Sequence, residues 1–315
     1  MPEMIPSFAM GYRVRVHCHP AGEIARIVQE QTGRAREAMA TPSLPPAERA
    51  RKARVACKRI RAALGLTGTG SLNTGKKPNH LFRDAARALS ASRDDGALQS
   101  TLERLRDEAA GQVGKRALYV AHRVLGSDSA SGTSKLSEPA TAATAFGRAL
   151  AAGNSRVQRV FARSDRAGAS FNWAEDGFRA GYAQARRCFW HAQGHPTDPA
   201  LHTWRKRVKT HTFQCALLSK AGPEMMQPWR ESLKRLAALL GYERDLGLLR
   251  KCLCARLAAQ EESEHNVRSL LRWIDARRDS LRAEAFSLGE YIFTEKPRVV
   301  TRRVAGWWQA AQRAS

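Results

Sequence analysis

Proline and glycine divide the chain into segments that have the length and the hydrophobic period of a helix. Glu23–Ala40 and Ala47–Leu66 are two such segments, and each ends at a proline or at a glycine-rich stretch. Alternation typical of a strand is convincing only in Tyr12–His17. The pattern therefore predicts an all-α protein. The remaining predicted helices are Lys77–Ser90, Asp94–Val124 (an interruption at Gly111 and Gly114 stays open), Thr141–Arg163, Asn172–Gln193, Pro199–Lys220, Pro223–Leu240, Arg244–Gln260 and Glu264–Ser287.

The second half of the chain repeats residues of the first half at a constant offset of 151 residues. The positions that match without a gap are Arg54 with Arg205, Lys58 with Lys209, Arg93–Asp94 with Arg244–Asp245, Gly96 with Gly247, and Leu98 with Leu249. Self-similarity at a fixed offset indicates a duplicated structural unit. We therefore expect a single domain over residues 1–315. It would hold two similar helical bundles, at about 20–130 and 140–300, related by a pseudo-two-fold axis around a basic central surface.

The charge of the chain indicates an anionic partner. Lys and Arg number 53 against 29 Asp and Glu, which gives a net charge of +24. Arg outnumbers Lys by 41 to 12, and guanidinium groups bind phosphate oxygens in a bidentate geometry. A charge of this size repels itself in a compact chain unless a polyanion neutralises it. The composition therefore favours a polyphosphate or a nucleic acid as partner.

Two of the predicted helices carry a row of cations along one face. At about 100° per residue, the first row falls within about 80° of arc, and none of its members has an acid four residues away. The first row consists of Arg51, Arg54, Lys58 and Arg61, and the second of His202, Arg205, Lys206 and Lys209. Rows of this kind suit the binding of an extended anion. The alternative, an arginine-rich face that is only solvated, stays open.

These stretches resemble the CHAD domain, the conserved histidine α-helical domain. His202–Lys209 is similar to the family's His-x-x-Arg-Lys-x-x-Lys signature, and Arg51–Ala62 is similar to its first-half counterpart. Further segments follow in the family's order, so that the resemblance covers about residues 20–300: 82–94, 177–187, 240–245 and 293–297. The resemblance implies two helical bundles around a basic surface that binds inorganic polyphosphate without catalysis. It also implies further phosphate contacts at Arg83, Arg87, Arg179 and Arg186.

The sequence departs from the family pattern at three positions. Arg51 stands where the first-half histidine is expected, and this substitution keeps a cation. Thr210 and Thr212 stand where basic residues are common in the second half. We therefore expect the second row to bind more weakly than the first.

Candidate catalytic motifs are incomplete. Gly70–Lys76 matches the first part of a phosphate-binding loop, but Lys77 replaces the Mg²⁺-binding hydroxyl and no hydrophobic strand precedes the loop. Cys188, His191 and His195 have helical spacing but lack an identifiable fourth zinc ligand. Acidic residues near the rows are too few to hold two metals for phosphoryl transfer. We expect no catalytic residue, no metal and no cofactor; whether the loop at Gly70 contacts phosphate stays open.

The sequence thus predicts a non-enzymatic binder of linear inorganic polyphosphate. The alternative is sequence-neutral binding of nucleic acid, but single-strand binders use exposed aromatic residues. Here aromatic residues make up 7% of the chain, and Trp204 falls on an apolar helix face. Residues 1–9 lack the apolar core of a signal peptide, no run is long enough to cross a membrane, and the six cysteines are scattered. We therefore expect a cytoplasmic protein located at polyphosphate granules.

Overall fold

The computed structural model describes residues 11–67, 76–89, 94–126, 139–162, 170–259 and 267–314. Within these ranges the regular secondary structure is helical throughout. The helices are α1 Pro20–Ala40, α2 Pro46–Leu66, α3 Lys76–Ala88, α4 Asp94–Glu108, α5 Lys115–Gly126, α6 Pro139–Phe161, α7 Asn172–Gly194, α8 Asp198–Leu217, α9 Pro223–Ala259, α10 Arg268–Phe293 and α11 Pro297–Arg313. The predicted all-α class is therefore confirmed for the described chain. None of the described helices is long and apolar enough to cross a bilayer.

The interruption between α4 and α5 lies where the two glycines suggested it. Gly111 has a φ of 80°, in the left-handed region that glycine adopts without the steric cost a Cβ would bring. The chain then turns, and α5 begins at Lys115. The predicted segment Asp94–Val124 is accordingly two helices.

The break predicted between Leu240 and Arg244 is wrong, because α9 continues through it for 37 residues. Gly241 does not end a helix here. It provides room for a neighbour: a Cβ at this position would lie 3.2 Å from Nε of Arg205. The glycine thus permits the close approach of an α8 side chain to the α9 backbone.

The strand-like alternation of Tyr12–His17 does not correspond to a strand in the structure. Val14 and Val16 are buried while Arg13 and Arg15 are exposed, so the alternation exists. However, the segment has no neighbouring strand among the described residues. Instead, its Val14 N–H donates a hydrogen bond to the backbone carbonyl of Leu217 in α8 at 2.8 Å. We call the non-helical segment 11–19 the N-terminal strap.

Two large clusters of buried side chains hold the helices together. The first draws on the strap, on α1, α2, α7 and α8, and on the first half of α9. The second lies between α4, α5, the second half of α9 and α10. Helices α2 and α7 approach closely, since a Cβ at Gly177 would lie 2.1 Å from the carbonyl oxygen of Leu66. Within the first cluster, the strap, α8 and the first half of α9 pack around one cavity.

Candidate anion-binding site

A cavity of about 1010 Å³ opens between the strap, α1, α2, α8 and α9, and α4 contributes one side chain to it. We call it the basic cavity, because Asp245 is the one acidic residue among its described lining residues. Its cationic lining residues are Arg13, Arg15, Arg26, Arg34, Arg59, Arg104, Arg205, Lys209, Lys220, Arg230 and Lys234. Some of these cations pair with acids outside the lining, as Arg15 and Arg26 do with Glu23 and Lys234 does with Glu231. The lining nevertheless keeps an excess of positive charge, which creates a positive potential in a concave surface.

Helix α8 contributes Arg205 and Lys209 to the cavity wall. The guanidinium of Arg205 lies over Gly241 of α9, with Nε and one terminal nitrogen each 3.2 Å from the position of a Cβ. Burial lowers the pKa of Lys209, and the charges of Arg205 and Arg51 lower it further. The positive charge on Lys209 is therefore disfavoured in the folded protein. An anion bound beside it would relieve this cost.

Glu23 of α1 fixes two of the cavity arginines. Its carboxylate is 1% exposed and accepts hydrogen bonds from Arg15 Nε at 2.9 Å and from Arg26 Nη2 at 2.8 Å. Burial opposes ionisation of Glu23, but the hydrogen bonds from Arg26 and Arg15 outweigh it and lower the pKa of the carboxyl to about 2. The two guanidinium groups are therefore held in place by a permanently charged acid.

Aromatic rings in the cavity are already occupied by arginines. The Arg59 guanidinium carbon lies 5.4 Å from the ring centre of Tyr12 and 6.0 Å from that of Phe213. The corresponding carbon of Arg104 lies 3.6 Å from the ring centre of Tyr242. These are cation–π contacts. They orient the guanidinium groups and cover ring faces that a base could otherwise stack on.

The Nε donors of two cavity arginines have no acceptor among the described residues. The Nε–H groups of Arg59 and Arg230 are buried, and neither donates a hydrogen bond within the described part of the chain. Buried donors are nearly always satisfied in folded proteins, by protein, water or ligand. Both residues line the cavity, so the unsatisfied donors lie where an oxyanion could accept from them.

Of the twelve residues predicted for the site, Arg205 and Lys209 line the basic cavity. Arg51 is exposed and forms an ion pair with Glu48, with 2.6 Å between Nε and Oε2. Glu48 lies three residues before Arg51, so this pair is not found when only residues four positions apart are compared. The charge of Arg51 nevertheless reaches Lys209, so Arg51 lies near the cavity without forming its wall.

Arg61 and Arg83 lie together in a different place. Burial and the charges of Arg83 and Arg207 lower the pKa of Arg61, while its Nε donates to Oδ1 of Asn79 at 2.8 Å. Arg83 also pairs with Asp84 at 3.0 Å. Arg61 of α2, Arg83 of α3 and Arg207 of α8 thus form a second, smaller group of cations outside the lining of the basic cavity.

The other predicted residues do not line the basic cavity. Arg186 donates from Nε to the Phe293 carbonyl at 2.8 Å and so ties α7 to the end of α10. Arg179 pairs with Asp176 and lines a separate groove with Lys296 and nearby residues. Five predicted residues remain, and none of them is part of the cavity lining. Arg54, Lys58 and His202 are half-buried, whereas Arg87 and Lys206 are exposed.

Sequence reasoning missed most of the cavity lining. Arg13 and Arg15 belong to the strap, whose sequence shows only a strand-like alternation, and Arg230 belongs to neither of the predicted cationic rows. One signal was available for Lys234, because it stands at the repeat offset from Arg83. For the strap no such signal exists, since its position against α8 depends on tertiary packing.

The remaining motifs give no further site within the described residues. No group of three or more His, Cys, Asp or Glu side chains comes together there in a way that could hold a metal ion. His191 and His195 do lie close, with ring centres 5.6 Å apart. The loop Gly70–Gly75 and the side chains of Lys76 and Lys77 lie outside the described part of the structure.

Helices and cavity together define an all-α protein with a concave cationic site. The CHAD domain family model matches residues 29–253 of the 315, and the chain belongs to this family. The resemblance carried by the residue motifs is thereby confirmed. The matched segment begins within α1 and ends within α9, so the strap, α10 and α11 lie outside it. No curated protein and no solved structure matches the chain.

Proposed function

We propose that the protein binds linear inorganic polyphosphate in the basic cavity. The observation that carries this proposal is the lining itself, in which arginines and lysines from five helices and the strap face a single acid, Asp245. Phosphate oxygens accept bidentate hydrogen bonds from guanidinium groups, and two cavity arginines have buried Nε donors without a partner in the described chain. Membership of the CHAD family supports the proposal, because CHAD domains are known in general terms to bind polyphosphate.

We also propose that binding proceeds without catalysis. Carboxylates that could bind metals or move protons are scarce at the cavity, and Glu23 is engaged by Arg15 and Arg26. Asp245 alone cannot hold the two metal ions that phosphoryl transfer commonly uses. The measurement that tests this is the chain length of polyphosphate after incubation with the protein and Mg²⁺. Shortening of the chains would contradict a pure binding role.

The cavity is, in our proposal, one of two related surfaces produced by duplication. Helices α1 and α2 begin at Pro20 and Pro46, and α7 and α8 begin 152 residues later in each case. The cavity residues Arg205, Lys209 and Lys234 stand at the repeat offset from Arg54, Lys58 and Arg83. The group formed by Arg61, Arg83 and Arg207 would then belong to the first-half counterpart of the cavity.

Nucleic acid is the competing ligand class. Sequence-neutral binding of single strands requires free aromatic faces for base stacking, whereas Tyr12, Phe213 and Tyr242 have arginines over their rings. A ligand without bases loses nothing from this arrangement. The cavity therefore favours polyphosphate.

The deciding experiment is calorimetric titration with long-chain polyphosphate and, separately, with single-stranded DNA at equal phosphate concentration. We expect tighter binding of polyphosphate at every salt concentration. Equal or tighter binding of DNA would favour the competing class, and absence of polyphosphate binding would refute the function. Binding of this kind would place the protein at cytoplasmic polyphosphate granules, which fluorescence microscopy of a tagged chain can test.

A further inference from the structure

The N-terminal strap forms a wall of the basic cavity although it lies outside the segment matched by the family model. Its residues Gly11 to Arg15 all line the cavity, whereas the match begins at residue 29. We propose that the strap is a ligand-binding element, in which Arg13 contacts phosphate and the anchors of the strap slow the departure of the ligand. This inference rests on the proposed function and adds a specificity-determining element to it.

The first anchor joins the strap to α8. The Val14 N–H donates to the Leu217 carbonyl at 2.8 Å, and the side chains of Val14 and Val16 are 0% and 5% exposed. The Tyr12 ring meets the Phe213 ring edge-on, with 6.2 Å between centres. Apolar burial and one backbone hydrogen bond therefore hold the strap against the helix that carries Arg205.

The second anchor joins the strap to α2. The Tyr12 hydroxyl donates to the carbonyl oxygen of Arg59 at 2.7 Å. Burial raises the pKa of Tyr12 well above its usual value, although the charge of Arg59 opposes the shift. The hydroxyl therefore remains a donor throughout the physiological range, and the same two residues make the cation–π contact described above.

The third anchor joins the strap to α1. The Arg15 backbone N–H donates to Glu23 Oε2 at 2.8 Å, and the Arg15 side chain donates to Oε1 of the same carboxylate. Arg26 donates from Nη2 to the Arg13 carbonyl at 2.9 Å. The backbone on both sides of Val14 is thus fixed by charged groups of α1.

The anchored backbone leaves the Arg13 side chain available. It is exposed, no ion pair joins it to a described residue, and its backbone carbonyl accepts a hydrogen bond from Arg26. A cation on a fixed backbone loses less conformational freedom on binding than one on a mobile terminus. Arg13 therefore combines a free charge with a preorganised position, which is what a contact to a polyanion requires.

The test compares Arg13→Ala with Arg268→Ala in the full chain. Arg268 is an exposed arginine of α10 without an ion pair to a described residue, so both variants lose one exposed positive charge. One charge-assisted contact corresponds to roughly a tenfold or greater change in Kd. We expect Arg13→Ala to weaken polyphosphate binding by about tenfold relative to Arg268→Ala. Equal affinities, with the unchanged chain binding polyphosphate, would overturn the strap inference and leave the proposed function standing.

A second variant tests the anchors. Tyr12→Phe keeps the ring contact with Phe213 but deletes the hydrogen bond to the Arg59 carbonyl. We expect a dissociation rate several-fold faster, as measured on immobilised polyphosphate, with unchanged circular dichroism and unchanged salt dependence because no charge is lost. An unchanged dissociation rate would contradict the anchoring. If the unchanged chain does not bind polyphosphate at all, both the function and this inference fail.

Discussion

Replacing Arg205 and Lys209 together by alanine removes the two α8 cations from the wall of the basic cavity. A hydrogen bond to a charged group contributes about 1.5–3 kcal/mol, so loss of both contacts predicts about 3–6 kcal/mol of binding free energy. This corresponds to an increase in Kd of roughly a hundredfold to ten-thousandfold. The estimate applies because both side chains are half-buried in the wall, where water screens them less than exposed charges.

The same double variant is expected to fold at least as stably as the unchanged chain. Burial and the charges of Arg205 and Arg51 lower the pKa of Lys209, which means that its positive charge is unfavourable in the folded protein. Removing Arg205 and Lys209 removes part of this repulsion. Thermal unfolding should therefore show an unchanged or raised Tm, so that a loss of binding cannot be attributed to unfolding.

The assay is calorimetric titration with polyphosphate at several salt concentrations. For two lost contacts, fewer counterions are released and the salt dependence should become less steep. The matched control is Arg268→Ala with Arg272→Ala, two exposed α10 arginines without ion pairs in the described chain. Arg278 is unsuitable as a control because it pairs with the buried Glu243 at 2.8 Å. Equal losses in the two double variants would refute a defined site and leave only general attraction by net charge.

Three further predictions concern the support of the cavity and the core. Glu23→Gln should weaken polyphosphate binding and lower the denaturant midpoint, because two arginines lose their shared buried carboxylate; an unchanged midpoint and affinity would contradict this. Burial lowers the pKa of His211 to about 4. Because the unfolded chain takes up this proton below about pH 6.5, stability should fall by up to about 3 kcal/mol between pH 6.5 and 4; His211→Leu should flatten that pH profile, and a persisting slope would count against it. Gly241→Ala should displace Arg205 and weaken binding while α9 stays helical by circular dichroism; unchanged affinity would show that the close approach is dispensable.

Much of the helical fold follows from local rules. Prolines at the first turn mark the beginnings of α1, α2 and α8, since proline lacks the N–H that is unpaired there anyway. Gly111 marks the end of a segment because it takes a positive φ. Positions of this kind depend on the residue and its chain neighbours alone, so the sequence places these helix beginnings to within about three residues.

The cavity was less accessible from the sequence. Helical spacing grouped Arg54 with Lys58 and correctly separated them from the buried face of α2, but it could not show which cationic face meets a cavity. Arg59 lies on the same helix and enters the lining because the strap and α8 pack beside it. Similarly, the sequence predicted a break between Leu240 and Arg244, because the approach of the Arg205 guanidinium to Gly241 is a tertiary contact that the sequence does not show.

Helix α9 carries a consequence for motion within the molecule. Its 37 residues correspond to a rod about 55 Å long. Arg230 and Lys234 on its first half line the basic cavity, while Leu246 and Leu253 on its second half belong to the second buried cluster. An unbroken rod cannot bend freely at its middle, so the two clusters are mechanically continuous. A polyanion that immobilises the first half would also slow amide exchange around α5 and α10, which contribute no side chain to the cavity lining.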